Sequence, residues 1–252
     1  MLASHSMAVE QLDVNVIDSR SHDANVFTQG YFANDTHLWE SSGLYGKSFL
    51  RRYTLATNEI ETEIPLPKQL FAEGLSVFNN ELFVLTWRAG MLLVYDPSTL
   101  QAKRTMRYTG EGWGLTHNDN ALIMSDGSDT ITFRDPKTFK EIKRIRVHNA
   151  WRSYRYLNEL EFVNGAIWAN VWRSPFILKI SPEDGSVLAI ANLTNLVKKH
   201  TRENKEAVLN GIAYNSKQDA FWITGKNWPM QYLVRFEPKN TTTQKNTRSE
   251  EK

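Results

Sequence analysis

The chain has 252 residues, 41% hydrophobic and 23% charged, with a net charge of +2 and no cysteine. This balance fits one large all-β domain and excludes disulfides, thiolate metal sites and a cysteine nucleophile. Basic residues such as Lys103-Arg104 and Lys143-Arg144 are scattered through strand-like segments, so no nucleic-acid patch is expected, and no apolar run reaches membrane-spanning length.

In chain order, residues 1–10 read as a flexible N-terminus without the apolar core of a signal peptide. The compartment is left between cytoplasm and, for a chain whose leader has been removed, periplasm or secretion. Gln11 to Asp18 alternates as a strand should. A hairpin follows, from Phe27-Thr28-Gln29-Gly30-Tyr31 through Asn34-Asp35 to Leu38-Trp39-Glu40. The next runs from Phe71-Ala72-Glu73-Gly74-Leu75 through Asn79-Asn80 to Leu85-Thr86-Trp87, and a third from Trp113-Gly114-Leu115 to Asp126-Gly127. The fourth turns at Asn164-Gly165 between Asn158 and Trp172, and the fifth joins Asn210-Gly211 to Gly225-Lys226. Several are followed by a third strand ending before proline, at Asp96-Pro97, Asp135-Pro136 and Glu237-Pro238. A charged fourth strand such as Lys140 to Val147 suits an exposed edge. Asn195 to Val208 reads as a short helical insertion, and residues 239–252 as a disordered polar tail.

Five copies of a four-stranded unit, spaced roughly 40 to 50 residues apart, match the period of propeller blades. The expectation is an all-β, five-bladed β-propeller over residues 11–238, made of four-stranded antiparallel blades. The N-terminal strand closes the ring by supplying the outer strand that the last copy lacks. A closed ring has no edge that demands a partner, so a monomer is expected.

In a propeller, the starts of first strands and the ends of second strands share one mouth of the central channel. That rule collects Gln29, Glu73, Trp113, Asn158 and Asn210 with Glu40, Trp87, Asp126, Trp172 and Lys226. Glu73 to Trp87 and Asn158 to Trp172 are both fourteen residues apart. One such tryptophan is explained equally well by packing between blades, and Glu73 by a satisfied buried carboxylate. Together, indoles with a few polar groups are what a small-ligand pocket needs.

The phrases Phe27-Thr28-Gln29-Gly30, Glu73-Gly74-Leu75, Gly112-Trp113-Gly114-Leu115, Leu157-Asn158-Glu159-Leu160-Glu161, Trp168-Ala169-Asn170-Val171-Trp172 and Thr224-Gly225-Lys226-Asn227-Trp228-Pro229 resemble the glutamine cyclotransferases of plant and bacterial type. The resemblance runs from Phe27 to Pro238. It implies a glutaminyl-peptide cyclotransferase that acts without metal or other cofactor on peptides or proteins with N-terminal glutamine. It puts catalytic roles on Glu73, Gln29, Asn158 and Lys226, and substrate contacts on Phe27, Trp87, Trp113 and Trp172. A carboxylate could move the proton from amine to leaving amide, with amide or ammonium donors at the oxyanion. Lys226 has a second reading, an ion pair that holds Glu73 ionised. Selectivity beyond the terminal glutamine is expected to be low.

Two readings stand beside this one. Glu73, Asn158 and Asn210 offer oxygens for calcium in a lactonase-type propeller, although Lys226 would repel the cation. Alternatively, the aromatic mouth binds a peptide or glycan without catalysis.

Overall fold

The computed structural model describes residues 9–201 and 204–239. The expected disordered tail lies outside these residues except for Lys239, and the flexible N-terminus except for Val9 and Glu10. Glu10 already belongs to the first strand, β1 (Glu10–Ser21).

Four groups of antiparallel strands follow. The first holds β2 (Thr28–Ala33), β3 (His37–Ser42), β4 (Phe49–Thr54) and β5 (Ile60–Pro65); the second holds β6 (Ala72–Phe78), β7 (Glu81–Thr86), β8 (Met91–Tyr95) and β9 (Ala102–Arg107). The third holds β10 (Leu115–His117), β11 (Leu122–Ser125), β12 (Thr130–Arg134) and β13 (Glu141–Arg146); the fourth holds β14 (Leu157–Val163), β15 (Ala166–Val171), β16 (Phe176–Ile180) and β17 (Val187–Asn192). After the helix α1 (Thr194–His200) come β18 (Leu209–Asn215), β19 (Ala220–Gly225) and β20 (Met230–Pro238). The helix takes only the first half of the expected insertion. Among the described residues no helix is long and apolar enough to cross a membrane.

The first three groups are separate four-stranded sheets. The rest form one eight-stranded sheet in the order β14-β15-β16-β17-β1-β20-β19-β18. β1 pairs antiparallel with β20 along most of its length, and its first residues, Glu10 to Leu12, pair in parallel with Ala189 to Ala191 of β17. That parallel contact is absent from the sequence-based expectation. The turns follow their chemistry. Asn79 and Asn80 have φ of 49° and 58°, and Asn164 and Gly165 have 50° and 73°, the left-handed conformation that two-residue hairpin loops require.

First strands face one another in a propeller-like arrangement: β2 lies against β6, β6 against β10, β10 against β14, β14 against β18 and β18 against β2. Apolar clusters fill the seams between successive sheets. Leu50 and Trp39 meet Leu75 and Val84, and Trp222 and Leu233 meet Tyr31 and Leu38 across the join of last and first strands. Each leucine so buried contributes about 1.5–3 kcal/mol. Charged β9 and β13 are exposed, as their composition predicts.

Close approach of first strands requires glycine. A Cβ on Gly74 would lie 2.4 Å from the Leu115 nitrogen, and one on Gly114 would lie 2.0 Å from the Asn158 carbonyl oxygen. Hydroxyls stitch the same seams: Ser125 Oγ accepts from Gly114 N–H at 2.8 Å and donates to the Asn158 carbonyl at 2.7 Å. Buried Glu159 accepts from Tyr31 N–H at 3.0 Å, across from β14 to β2, and burial pushes its carboxyl well above the usual range.

Candidate active site

Four first strands are bulged near their start. Register shifts fall between Thr28 and Gly30, Ala72 and Leu75, Leu157 and Leu160, and Leu209 and Ile212. The displaced residues include Gln29, Glu73, Asn158 and Asn210, and a bulge re-aims the side chain it displaces. Trp87, Trp172 and Lys226 each follow the last residue of a second strand. Their backbone N–H groups donate to the carbonyls of Phe71, Tyr156 and Val208 at 3.0, 2.8 and 2.9 Å. In the first sheet the same bond runs from Gly43 to Phe27, at 2.9 Å.

These ends surround a cavity of about 430 Å³. Phe27, Gln29, Glu73, Trp87, Trp113, Asn158, Trp172 and Lys226 all line it. Three other residues collected by the mouth rule do not. Glu40 is fully buried, taking hydrogen bonds from His22, Thr28 and Tyr53. The residue aligned with Trp87 is Gly43, where the Phe71 ring leaves no room for a side chain. Asp126 is exposed and accepts from Ser128 N–H, while the Trp113 ring lies over Gly127. Asn210 stays behind the lining, its Nδ2 donating to the Thr28 carbonyl at 2.9 Å and to Gln29 Oε1 at 3.4 Å. No three His, Asp or Glu side chains among the described residues are grouped to hold a metal ion.

Glu73 is 5% exposed and accepts from Gln29 Nε2 at 3.3 Å. Burial raises its carboxyl well above the ordinary value; Lys226 opposes the rise and Glu111 adds to it. Burial pushes the Lys226 ammonium down to about 8 despite the opposing pull of Glu73. The two do not meet at ion-pair distance, and Lys226 Nζ stands 4.6 Å above the Phe27 ring centre. The reading in which an ion pair keeps Glu73 ionised is therefore corrected: desolvation dominates both groups. Asn158 Oδ1 is buried with no hydrogen-bond partner among the described residues.

The walls are aromatic. The Trp113 and Trp172 ring centres are 5.7 Å apart, nearly perpendicular, and Phe71 lies 5.4 Å from Trp87. Leu44, Phe71, Arg88, Glu111, Tyr156 and Glu206 also line the cavity and escaped the sequence reading. A signal existed for Phe71 and Tyr156: each stands two residues before a bulged site residue, as Phe27 does. Glu111 holds the same offset before Trp113. Its Oε2 accepts from the indole N–H groups of Trp87 at 2.8 Å and Trp113 at 3.0 Å, and its Oε1 from Arg88 Nε at 2.9 Å.

The profile of the glutamine cyclotransferase family matches residues 2–236. A glutaminyl-peptide cyclotransferase of Arabidopsis thaliana is 38% identical over 229 residues, covering 89% of this chain and 71% of that protein. The crystal structure of Myxococcus xanthus glutaminyl cyclase superposes with a TM-score of 0.86 at 33% identity, covering 92% of this chain and all of that one.

Proposed function

The chain belongs to the glutamine cyclotransferase family, and on that premise we propose that it converts the N-terminal glutamine of peptides and proteins to pyroglutamate, releasing ammonia without a metal ion. The enzyme is a glutaminyl-peptide cyclotransferase. The scaffold reads as one five-bladed propeller over residues 11–238, closed by β1 on β20 and monomeric. The closed succession of first-strand neighbours supports that count.

One observation carries the mechanism: a buried carboxylate, Glu73, on an aromatic-walled cavity that also holds the Lys226 ammonium and the Asn158 amide. The substrate's α-amine attacks its own side-chain amide carbon, forming the ring C–N bond. Ionised Glu73 accepts the amine proton. As the tetrahedral intermediate collapses, Glu73 returns that proton to the departing amide nitrogen, the old C–N bond breaks and ammonia leaves. A carboxyl raised toward neutrality suits both halves of this transfer. Gln29 already donates to Glu73, so its role is to orient the carboxylate. Asn158 and Lys226 are then the donors for the oxyanion. Phe27, Trp87, Trp113 and Trp172 hold the glutamine folded and exclude water, which makes ring closure effectively preassembled.

The test is ammonia release from a Gln-initiated dipeptide in EDTA. Turnover that survives the chelator fits the proposal. Turnover lost to EDTA points to a metal site, and no turnover at all leaves a binding protein.

A further inference from the structure

Glu111 is the one acidic residue among the lining aromatics that bonds to two of them. The equivalent offset in other repeats holds Phe27, Phe71, Tyr156 and Val208. Trp87 leaves the end of β7, whereas Trp113 stands before β10 in the next sheet. A single carboxylate oxygen takes both indole N–H groups, at 2.8 and 3.0 Å. Arg88 binds the other oxygen and stacks its guanidinium 3.8 Å from the Trp87 ring centre. Without that carboxylate, each indole would keep only the ring contacts on its own side, Trp113 against Trp172 and Trp87 against Phe71, and both N–H groups would lose the acceptor that ties the two sheets together.

We propose that Glu111 is a positioning residue for the cyclisation: by binding Trp87 and Trp113 together it fixes the width of the aromatic clamp, and it presents its carboxylate to the same cavity as Glu73. It rests on the cyclotransferase reading and adds a residue that acts through others. Burial opposes the charge of Glu111, but hydrogen bonds from Trp113, Arg88 and Trp87 outweigh it and hold its carboxyl below the ordinary range. The charged groups acting on Glu73 are Lys226, which favours its ionised form, and Glu111, which disfavours it. The nearby Tyr108 phenol, pushed up to about 12, is neutral at working pH. Removing the Glu111 charge therefore lowers the pH at which Glu73 becomes a base.

Two variants separate geometry from charge. Glu111→Ala frees both indoles, and kcat/KM for a Gln-initiated dipeptide should fall by about tenfold or more, with kcat sharing the loss. Glu111→Gln keeps an acceptor oxygen without the charge. Its kcat/KM at the optimum should stay within about threefold of wild type, while the acid limb of the profile moves to lower pH. A purely structural residue would not move that limb. The inference is overturned by an Ala variant within about twofold of wild type, or by a Gln variant with an unmoved acid limb. Wild-type ammonia release, measured alongside, tests the cyclotransferase reading itself, so the two failures are distinct. If Glu111→Ala fails to fold, as judged by thermal denaturation, the Gln variant still decides.

Discussion

Replacing Glu73 with glutamine tests the mechanism at its centre. The amide is nearly isosteric with the carboxylate, and its oxygen can still accept from Gln29 Nε2, which stands 3.3 Å from Glu73 Oε1. What disappears is the ability to take and return a proton. A positioned general base contributes about 10²- to 10⁴-fold, which is about 2.7 to 5.4 kcal/mol at the transition state. The variant's kcat for ammonia release should fall within that range while KM changes little, because the clamp is untouched. Stability should not suffer, since the wild-type site buries a carboxyl that desolvation already disfavours in its charged form. A second consequence follows from Lys226, whose value of about 8 is supported by Glu73. Without that neighbour the lysine loses its proton at lower pH, so the rate must be read across the whole neutral range. A lost base lowers the profile everywhere, whereas a displaced lysine lowers only its alkaline side. A Glu73→Gln protein that folds like wild type and retains kcat within about tenfold would refute the assignment.

Three further outcomes follow. If the Lys226 ammonium stabilises the oxyanion, kcat should decline as pH rises through about 8, and Lys226→Arg should shift that decline to higher pH because a guanidinium stays charged; an unmoved limb would remove Lys226 as its source. Gly74→Ala places a Cβ 2.4 Å from Leu115 N and 2.6 Å from Gly114 backbone atoms, so thermal denaturation should show a loss of about 1–3 kcal/mol or more, and an unchanged melting temperature would contradict the close strand approach. His22 bonds Glu40 at 2.9 Å through one ring nitrogen and the Trp228 carbonyl at 2.7 Å through the other, which suits a doubly protonated ring. Burial opposes that charge, but Glu40 outweighs burial and raises the histidine, while Glu40 itself is lowered. The histidine's contribution is full below the ordinary histidine pKa and is lost as pH rises through the raised value; that of Glu40 is present above the ordinary carboxylate pKa and is lost as pH falls through its lowered value. His22→Gln should cost about 3–5 kcal/mol in urea unfolding near neutrality, a range set by stranding a buried charge, and a cost below about 1 kcal/mol would exclude a buried ion pair.

The sequence carried the repeat because turn chemistry and strand alternation are local. Asn79-Asn80 and Asn164-Gly165 mark hairpins whatever surrounds them, and the hairpins then bring their ends to one mouth. Fourteen residues separate Glu73 from Trp87 and Asn158 from Trp172, and the same step from Gln29 lands on Gly43. Glu40, three residues earlier on β3, points instead into the seam toward His22 and Tyr53. Period alone could not reveal how the residues at the mouth would pair. Whether Lys226 meets Glu73 depends on side-chain reach within a desolvated cavity, and its ammonium stands over Phe27 instead. Glu111 shows the same limit. It shares its offset with apolar residues of other repeats, and only its bonds to indoles from two sheets give it meaning. Backbone periodicity thus determines which side chains reach the cavity. The charges and hydrogen bonds formed once water is excluded determine what each does there.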